Sequence, residues 1–381
     1  MDAKNKRNFI LLGHAQSGKT TLAENLLYFC KATTRKGKTE DGTTVSDYSF
    51  DEIERKSSIN LSLLFCDYKG YRVQIIDSPG YADFYGETLA GSRAVDSGII
   101  VVDASAGIEV GTERSWQLLE SQGLPCMCFV NKIDKENIDQ AAVLESLRTT
   151  FSKNCIIINS LEDPNLVEAI AESDDNLLTK YLETLRLSQE EIAGGIKQAV
   201  LKRKLFPVVV GSALNDKGIG DLLEEVIRYF PSPEERIKVQ AADPLKPEEN
   251  KEVPITADAP FSAFVFKNIA DPFVGQLTLL RVFSGSLASS TAFNNVNKNN
   301  KERIGQIYIL QGKEQRPVET AGVGDIVAIA KLKETGVCDS LSNDRGQFLF
   351  PPISFPESAI SASVKPKSRE DEEKISDALH K

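Results

Sequence analysis

The sequence is nearly devoid of histidine, with only His14 and His380 in 381 residues. No histidine cluster can therefore complete a metal site, and the C-x-C pair Cys126 and Cys128 in PCMCFV has no second cysteine pair to join it. The six cysteines (Cys30, Cys66, Cys126, Cys128, Cys155 and Cys338) lack framework spacing and lie mostly in apolar segments, so they read as free buried thiols rather than a disulfide scaffold. An uninterrupted apolar run of membrane-spanning length is also missing, and MDAKNKRNFILLG enters a strand-like segment without a signal-type stretch. These absences predict a cytoplasmic chain without a membrane partner. Basic excess is missing too. The formal net charge is −10, made up of −11 over residues 1–260, +2 over 261–345 and −1 in the tail. DNA is not an expected partner, and any RNA contact would need a local patch on a shaped target.

What is present is an ordinary globular composition, 41% hydrophobic and 26% charged, in a chain long enough for two or three domains. Along the first 230 residues the short apolar runs NFILL, LSLLF, YRVQII, GIIVV, CMCFV, CIII and PVVV alternate with helical patterns at 20–31, 112–122, 139–151, 176–203 and 218–230. The expected fold class is α/β, a mainly parallel sheet covered on both faces over residues 1–235. Residues 236–260, rich in proline and charge, read as a linker. Residues 261–345 carry β-like runs between Gly- and Asn-bearing turns and predict a small antiparallel barrel. Within it, NNVNKNNKER (294–303) reads either as a solvated hairpin tip or as an RNA-touching loop. Residues 346–381 read as the start of a third domain, with Ile375, Ala378 and Leu379 on one face of a terminal helix.

The chemistry begins at GHAQSGKTT, residues Gly13, His14, Ala15, Gln16, Ser17, Gly18, Lys19, Thr20 and Thr21, which fits G-x-x-x-x-G-K-[ST] between a strand and a helix. Such a loop lets backbone N–H groups close around phosphates, with Lys19 reaching the β and γ oxygens and Thr20 ligating Mg²⁺. NKID supplies Asn131, Lys132 and Asp134, and a carboxylate at Asp134 can accept from guanine N1 and N2, which adenine cannot offer. GSAL supplies Ser212, Ala213 and Leu214, whose amides can meet guanine O6. In DSPG, Asp77 would hold Mg²⁺ through water and the Gly80 amide would bond a γ-phosphate. The polar stretch between the first two motifs reads as a switch segment, with Ser58 the hydroxyl that closes on the metal. GTP or GDP with Mg²⁺ is the ligand set these motifs imply together.

These stretches, with DSPGYADF, GSALNDKGIGDLLEEVIRYFPSP, DPFVGQLTLLRVFSG and KERIGQI, resemble bacterial elongation factor G, and the resemblance runs through a GTPase domain and a second β domain into the opening of a third. It implies a translational GTPase whose partner is the ribosome, its RNA and proteins, and which is a monomer when off it. Four departures bring it nearer the divergent elongation factor G-like paralogues. Gln16 stands where the family carries Asp, RKSS replaces Arg-Gly-Ile-Thr, DSPGY replaces DTPGH, and the insertion at about 139–205 is shortened. Tyr81 thus occupies the family's histidine position, and a phenol offers a hydrogen bond but no positive charge. Lys19, Gly80 and Tyr81 are the candidate catalytic residues. Two classes stay open: a GTP-hydrolysing translation factor, slow because of Tyr81, or a nucleotide-gated ribosome-binding module with very slow or no hydrolysis.

Overall fold

The computed structural model describes the chain except residues 237–238, 245, 272–273, 344–347, 359, 370, 373 and 376–381. Seven strands, β1 (Lys6–Leu12), β2 (Ser62–Tyr68), β3 (Tyr71–Asp77), β4 (Ser97–Asp103), β5 (Cys126–Asn131), β6 (Cys155–Ile156) and β7 (Phe206–Val210), form one sheet in the order β2-β3-β1-β4-β5-β7-β6. All neighbours run parallel except β2, which returns antiparallel along β3 at the edge. The helices are α1 (Lys19–Phe29), α2 (Phe50–Arg55), α3 (Tyr85–Ser92), α4 (Val110–Ser121), α5 (Gln140–Thr150), α6 (Pro164–Ala171), α7 (Asp175–Thr184), α8 (Gln189–Leu201) and α9 (Ile219–Tyr229).

The apolar runs are continuous because both sheet faces are covered. Phe9, Leu11, Met127 and Phe129 pack under α1, α6, α8 and α9. Their neighbours Ile10, Leu12, Cys126 and Cys128 point the other way, toward α3, α4 and α5. Cys126 and Cys128 therefore share one buried face, and both are free thiols.

Several local readings are corrected. The single helix expected over 176–203 is two, because Leu185 turns left-handed (φ 55°) after α7 and Ser188 starts α8 with a capping box to Glu191. CIII contributes only the two-residue edge strand β6, since only Cys155 and Ile156 pair with β7. The segment read as a linker contains a hairpin, β8 (Gln240–Asp243) and β9 (Lys246–Glu252), which is anchored by mutual backbone hydrogen bonds between Ala242 and Leu349.

The C-terminal β unit is built from β10 (Ser262–Asp271), β11 (Gly275–Ser284), β12 (Ser286–Ala288), β13 (Ala292–Asn295), β14 (Asn300–Arg303), β15 (Ile307–Gln311), β16 (Glu314–Val318), β17 (Thr320–Gly322), β18 (Ile326–Ala330) and β19 (Ser340–Ser342). Its pairs are antiparallel throughout, and it holds its own core around Phe261, Val265, Val282 and Ile329. NNVNKNNKER is the β13–β14 hairpin, tied down where Asn295 donates to Asp339 (2.7 Å) and Asn297 accepts from the Ser340 amide (2.8 Å).

A buried polar junction joins the two units. The Arg281 guanidinium donates to both Asp96 carboxylate oxygens (3.0 and 2.9 Å) and to the Ala94 carbonyl (2.9 Å), while Arg236 and Asn8 also reach Asp96. Both Arg281 and Asp96 are fully buried, so removing Asp96 would strand the Arg281 charge at a cost of about 3–5 kcal/mol, whereas Asp96 without Arg281 would keep Arg236 and Asn8. The β15–β16 turn also docks on edge strand β2, where Gly312 donates to the Leu63 carbonyl (2.8 Å) and Gln311 accepts from the Phe65 amide (2.9 Å). Beyond β19, Phe350 is buried against Phe283 and Phe264. Of the face expected in the terminal helix, Ala378 and Leu379 lie outside the described residues.

Candidate nucleotide site

The loop between β1 and α1 wraps a cavity of about 540 Å³ at the carboxyl ends of the strands, where open α/β sheets bind ligands. Close approach explains its glycines. A Cβ on Gly13 would stand 2.3 Å from the Val101 carbonyl oxygen, and one on Gly18 would stand 2.3 Å from the Asn131 amide nitrogen. Gly80 lies equally tight across the cavity, where a Cβ would meet Lys19 Nζ at 2.5 Å and Ala15 Cα at 2.7 Å.

Lys19 starts α1 and turns its ammonium back to donate to the carbonyls of Gly13 (3.1 Å) and His14 (2.9 Å). Burial lowers its pKa to about 8, although Asp77 and Asp47 pull it upward. A polyphosphate here would supply the counter-charge that carbonyls alone do not.

Next to it, Thr20 Oγ1 donates to Asp77 (2.8 Å) and lies 3.1 Å from Ser58 Oγ. Thr20, Ser58 and Asp77, one from each of three separated motifs, thus converge. Asp47 joins them, a residue for which no motif reading had a place. Burial first, and then the charge of Asp77, push its carboxyl up to about 7, against a pull downward from the Ser58 hydroxyl beside it. Two crowded carboxylates beside two hydroxyls form an all-oxygen set that suits Mg²⁺.

At the opposite end, Asn131 ties three loops together. Its amide nitrogen donates to the Ser17 carbonyl (2.9 Å), and its carbonyl oxygen accepts from the amides of Lys132 and Ala213 (both 2.8 Å). Lys132 then donates to the Gln16 carbonyl (2.6 Å) and pairs with Asp103 (2.7 Å). Burial alone would raise Asp103, but the hydrogen bonds from Lys132 and Ser105 outweigh it and bring it down to about 2.

Asp134 and Leu214 line the rim and are exposed, with Leu214 67% accessible. The Ala213 amide is taken by Asn131 and the Ser212 amide by the Lys217 carbonyl, which leaves Leu214 as the other GSAL residue at the cavity. Ser212 stands behind it, bracing the loop by accepting from the Asn215 amide (3.2 Å).

Thr21 and Gln16 also line the cavity, whereas Ser17 is buried below it. His14 turns away, accepting from the Gly111 amide (3.2 Å) and facing Glu109 (3.5 Å). Tyr81 is 41% exposed, borders both this cavity and a smaller one near His14, and makes no side-chain hydrogen bond among the described residues.

The comparisons with known proteins fit this geometry. Residues 4–232 match the family described as Elongation factor Tu GTP binding domain, and residues 260–344 match Elongation factor G domain 2. The chain belongs to the elongation factor Tu GTP-binding-domain family. That family implies guanine-nucleotide binding. The chain is similar to a protein from Thermus thermophilus known from a crystal structure, with 29% identity and a TM-score of 0.85 over 99% of its own length. It spans 60% of the length of that Thermus chain. No helix among the described residues is long and apolar enough to cross a membrane.

Proposed function

We propose that the protein is a translational GTPase of the elongation factor G-like type that binds GTP with Mg²⁺, hydrolyses GTP slowly, and associates with the ribosome in its GTP state. The observation that carries the reading is Asn131, because one side chain sets the phosphate loop, NKID and GSAL at fixed distances around one cavity. In this reading Asp134 accepts from guanine N1 and N2, the Leu214 amide meets O6, and the phosphate-loop amides with Lys19 neutralise the phosphates. Thr20, Ser58, Asp77 and Asp47 would hold the cation. Bound Mg²⁺ would draw charge from the β and γ oxygens.

Gly80 lies against Ala15 and Lys19, at the γ end of the site, so its amide would orient the terminal phosphate. The exposed Tyr81 phenol would reach an attacking water by rotation and offer it a hydrogen bond, with no positive charge to offset the developing oxyanion. The 41% exposure of Tyr81, with no side-chain hydrogen bond among the described residues, favours a second reading, a ribosome-binding module gated by nucleotide with very slow or no hydrolysis.

Equilibrium binding of labelled GTP and ATP, followed by single-turnover hydrolysis with and without ribosomes, tests both. Tight GTP binding, weak ATP binding and slow ribosome-stimulated turnover are expected. Comparable ATP binding would remove the guanine assignment, and zero turnover on ribosomes would leave the second reading.

A further inference from the structure

Between α1 and β2 the chain is held over the cavity by a buried carboxylate outside every motif. Glu24, one turn along α1 from Thr20, is 1% exposed. Its Oε2 accepts from the Gly37 amide (2.9 Å) and its Oε1 from the Val45 amide (2.6 Å). Gly37 is there because nothing larger fits, since a Cβ would stand 2.5 Å from Thr44 Cα and 2.6 Å from Glu24 Oε2. Two further contacts press on the same strip. The Ser62 hydroxyl donates to the Ser46 carbonyl (2.6 Å), and a Cβ on Gly312, in the β15–β16 turn, would stand 2.0 Å from the Val45 carbonyl oxygen. Asp47 is two residues beyond Val45.

All these fastenings come from the protein itself. The second half of the segment is held by another carboxylate: Glu52 accepts from the Ile59 and Asn60 amides (both 3.0 Å), just beyond the turn at Lys56–Ser58, which borders the cavity.

We propose that Glu24 is a positioning residue that latches residues 37–47 onto α1, presenting Asp47 to the cation site whichever nucleotide is bound, so that only the 56–58 turn answers to the γ-phosphate. The proposal rests on the nucleotide reading above for its consequence, whereas the latch bonds are made wholly between the protein's own groups. Charge-assisted bonds to two amides are the strong kind, and a neutral methyl cannot replace them.

Hydrogen exchange of the amides in 37–47, measured on the full chain without nucleotide, with GDP and with a GTP analogue, reads the latch directly. Protection in all three states is expected in the wild type. Glu24→Ala and, independently, Gly37→Ala should speed exchange there about tenfold or more, and Glu24→Gln should recover part of the protection because its carbonyl still accepts one amide. GDP affinity should fall several-fold in Mg²⁺ and stay unchanged in EDTA. Protection appearing only with the GTP analogue, or an equal loss of GDP affinity in EDTA, would overturn the latch. If the wild type binds no guanine nucleotide, the functional reading fails, while the exchange data on the free protein still decide the latch.

Discussion

The two ends of the cavity are built on opposite principles. At the phosphate end, Lys19, Asp77 and Asp47 are buried, their pKa values are displaced by burial, and glycines admit backbone within van der Waals contact. At the base end, Asp134 and Leu214 are exposed, and order comes from Asn131 linking backbones beneath them. Charge in a desolvated site interacts strongly but is costly to leave unmatched. The phosphate end is therefore expected to supply affinity and metal dependence, and the base end to supply choice of ligand.

The largest test of that division is Lys19→Ala. Losing the ammonium leaves a triphosphate with only backbone donors and the cation, so GTP affinity or turnover should fall by about 10² or more. Base preference should survive in whatever binding remains. Near-normal turnover, measured by phosphate release, would show that the phosphate end is not where the energy lies.

Asp134→Asn is the complementary change. Replacing the carboxylate proposed to accept two guanine N–H groups should weaken GTP and GDP by roughly 1.5–3 kcal/mol per lost bond and improve xanthosine nucleotides, which keep the N1–H donor but carry a C2 carbonyl acceptor where guanine has an amino donor. Competition between GTP and xanthosine triphosphate reads it. If both weaken equally, Asp134 is only a rim charge and the division between the two ends fails.

The phosphate end was also far more legible in the sequence. GHAQSGKTT and DSPG announce themselves because backbone contact with phosphate demands glycine at fixed spacing, and β1 and β3 are readable as unbroken apolar runs. Asp134 and Asn131 were legible as a motif, yet Asn131's hold on Ser17 and Ala213 was not, since it joins residues far apart in the chain. Asp47 and Glu24 carried no signal. An acid in a polar stretch and an acid on a helix look solvated until tertiary packing buries them. The β8–β9 hairpin failed to show for a related reason: KPEENKE has no apolar alternation, and backbone pairing alone makes it a strand. The break at Leu185 hid inside a helical period that continues through both α7 and α8.

Behind the base end, α9 offers a smaller and separable test. Glu225 is buried enough to have its carboxyl pushed up to about 8, first by desolvation and then by Asp221, and its Oε2 has no hydrogen-bond partner among the described residues. A raised acid holds its proton in the folded state over a range where the unfolded chain has already lost it, so this group's contribution to stability is complete below about pH 4.5 and is lost as pH rises toward about 8. Glu225→Gln should stabilise the protein by on the order of 1–3 kcal/mol at about pH 8 and by little at about pH 5. Denaturant unfolding at both values checks it. Guanine selectivity should not change, because α9 supports the GSAL loop without facing the base. A shift in selectivity would mean the base end is not held by Asn131 alone.

The smallest expected effect is at Tyr81, where the phosphate end opens to solvent. Its side chain makes no hydrogen bond among the described residues and borders the cavity, so exchanging it should alter the chemical step more than the binding. An imidazole near neutral pH can be cationic and stabilise developing charge, whereas a phenol carries no positive charge in either protonation state. Tyr81→His should raise ribosome-dependent single-turnover hydrolysis a few-fold, about 1 kcal/mol or less of barrier, with GTP affinity unchanged. Tyr81→Phe separates the remaining possibilities. If Tyr81→His is no faster and Tyr81→Phe abolishes turnover, the hydroxyl itself orients the water. If neither variant changes the rate, backbone and ribosomal groups position the water, and the chemistry at this end runs on buried charge alone.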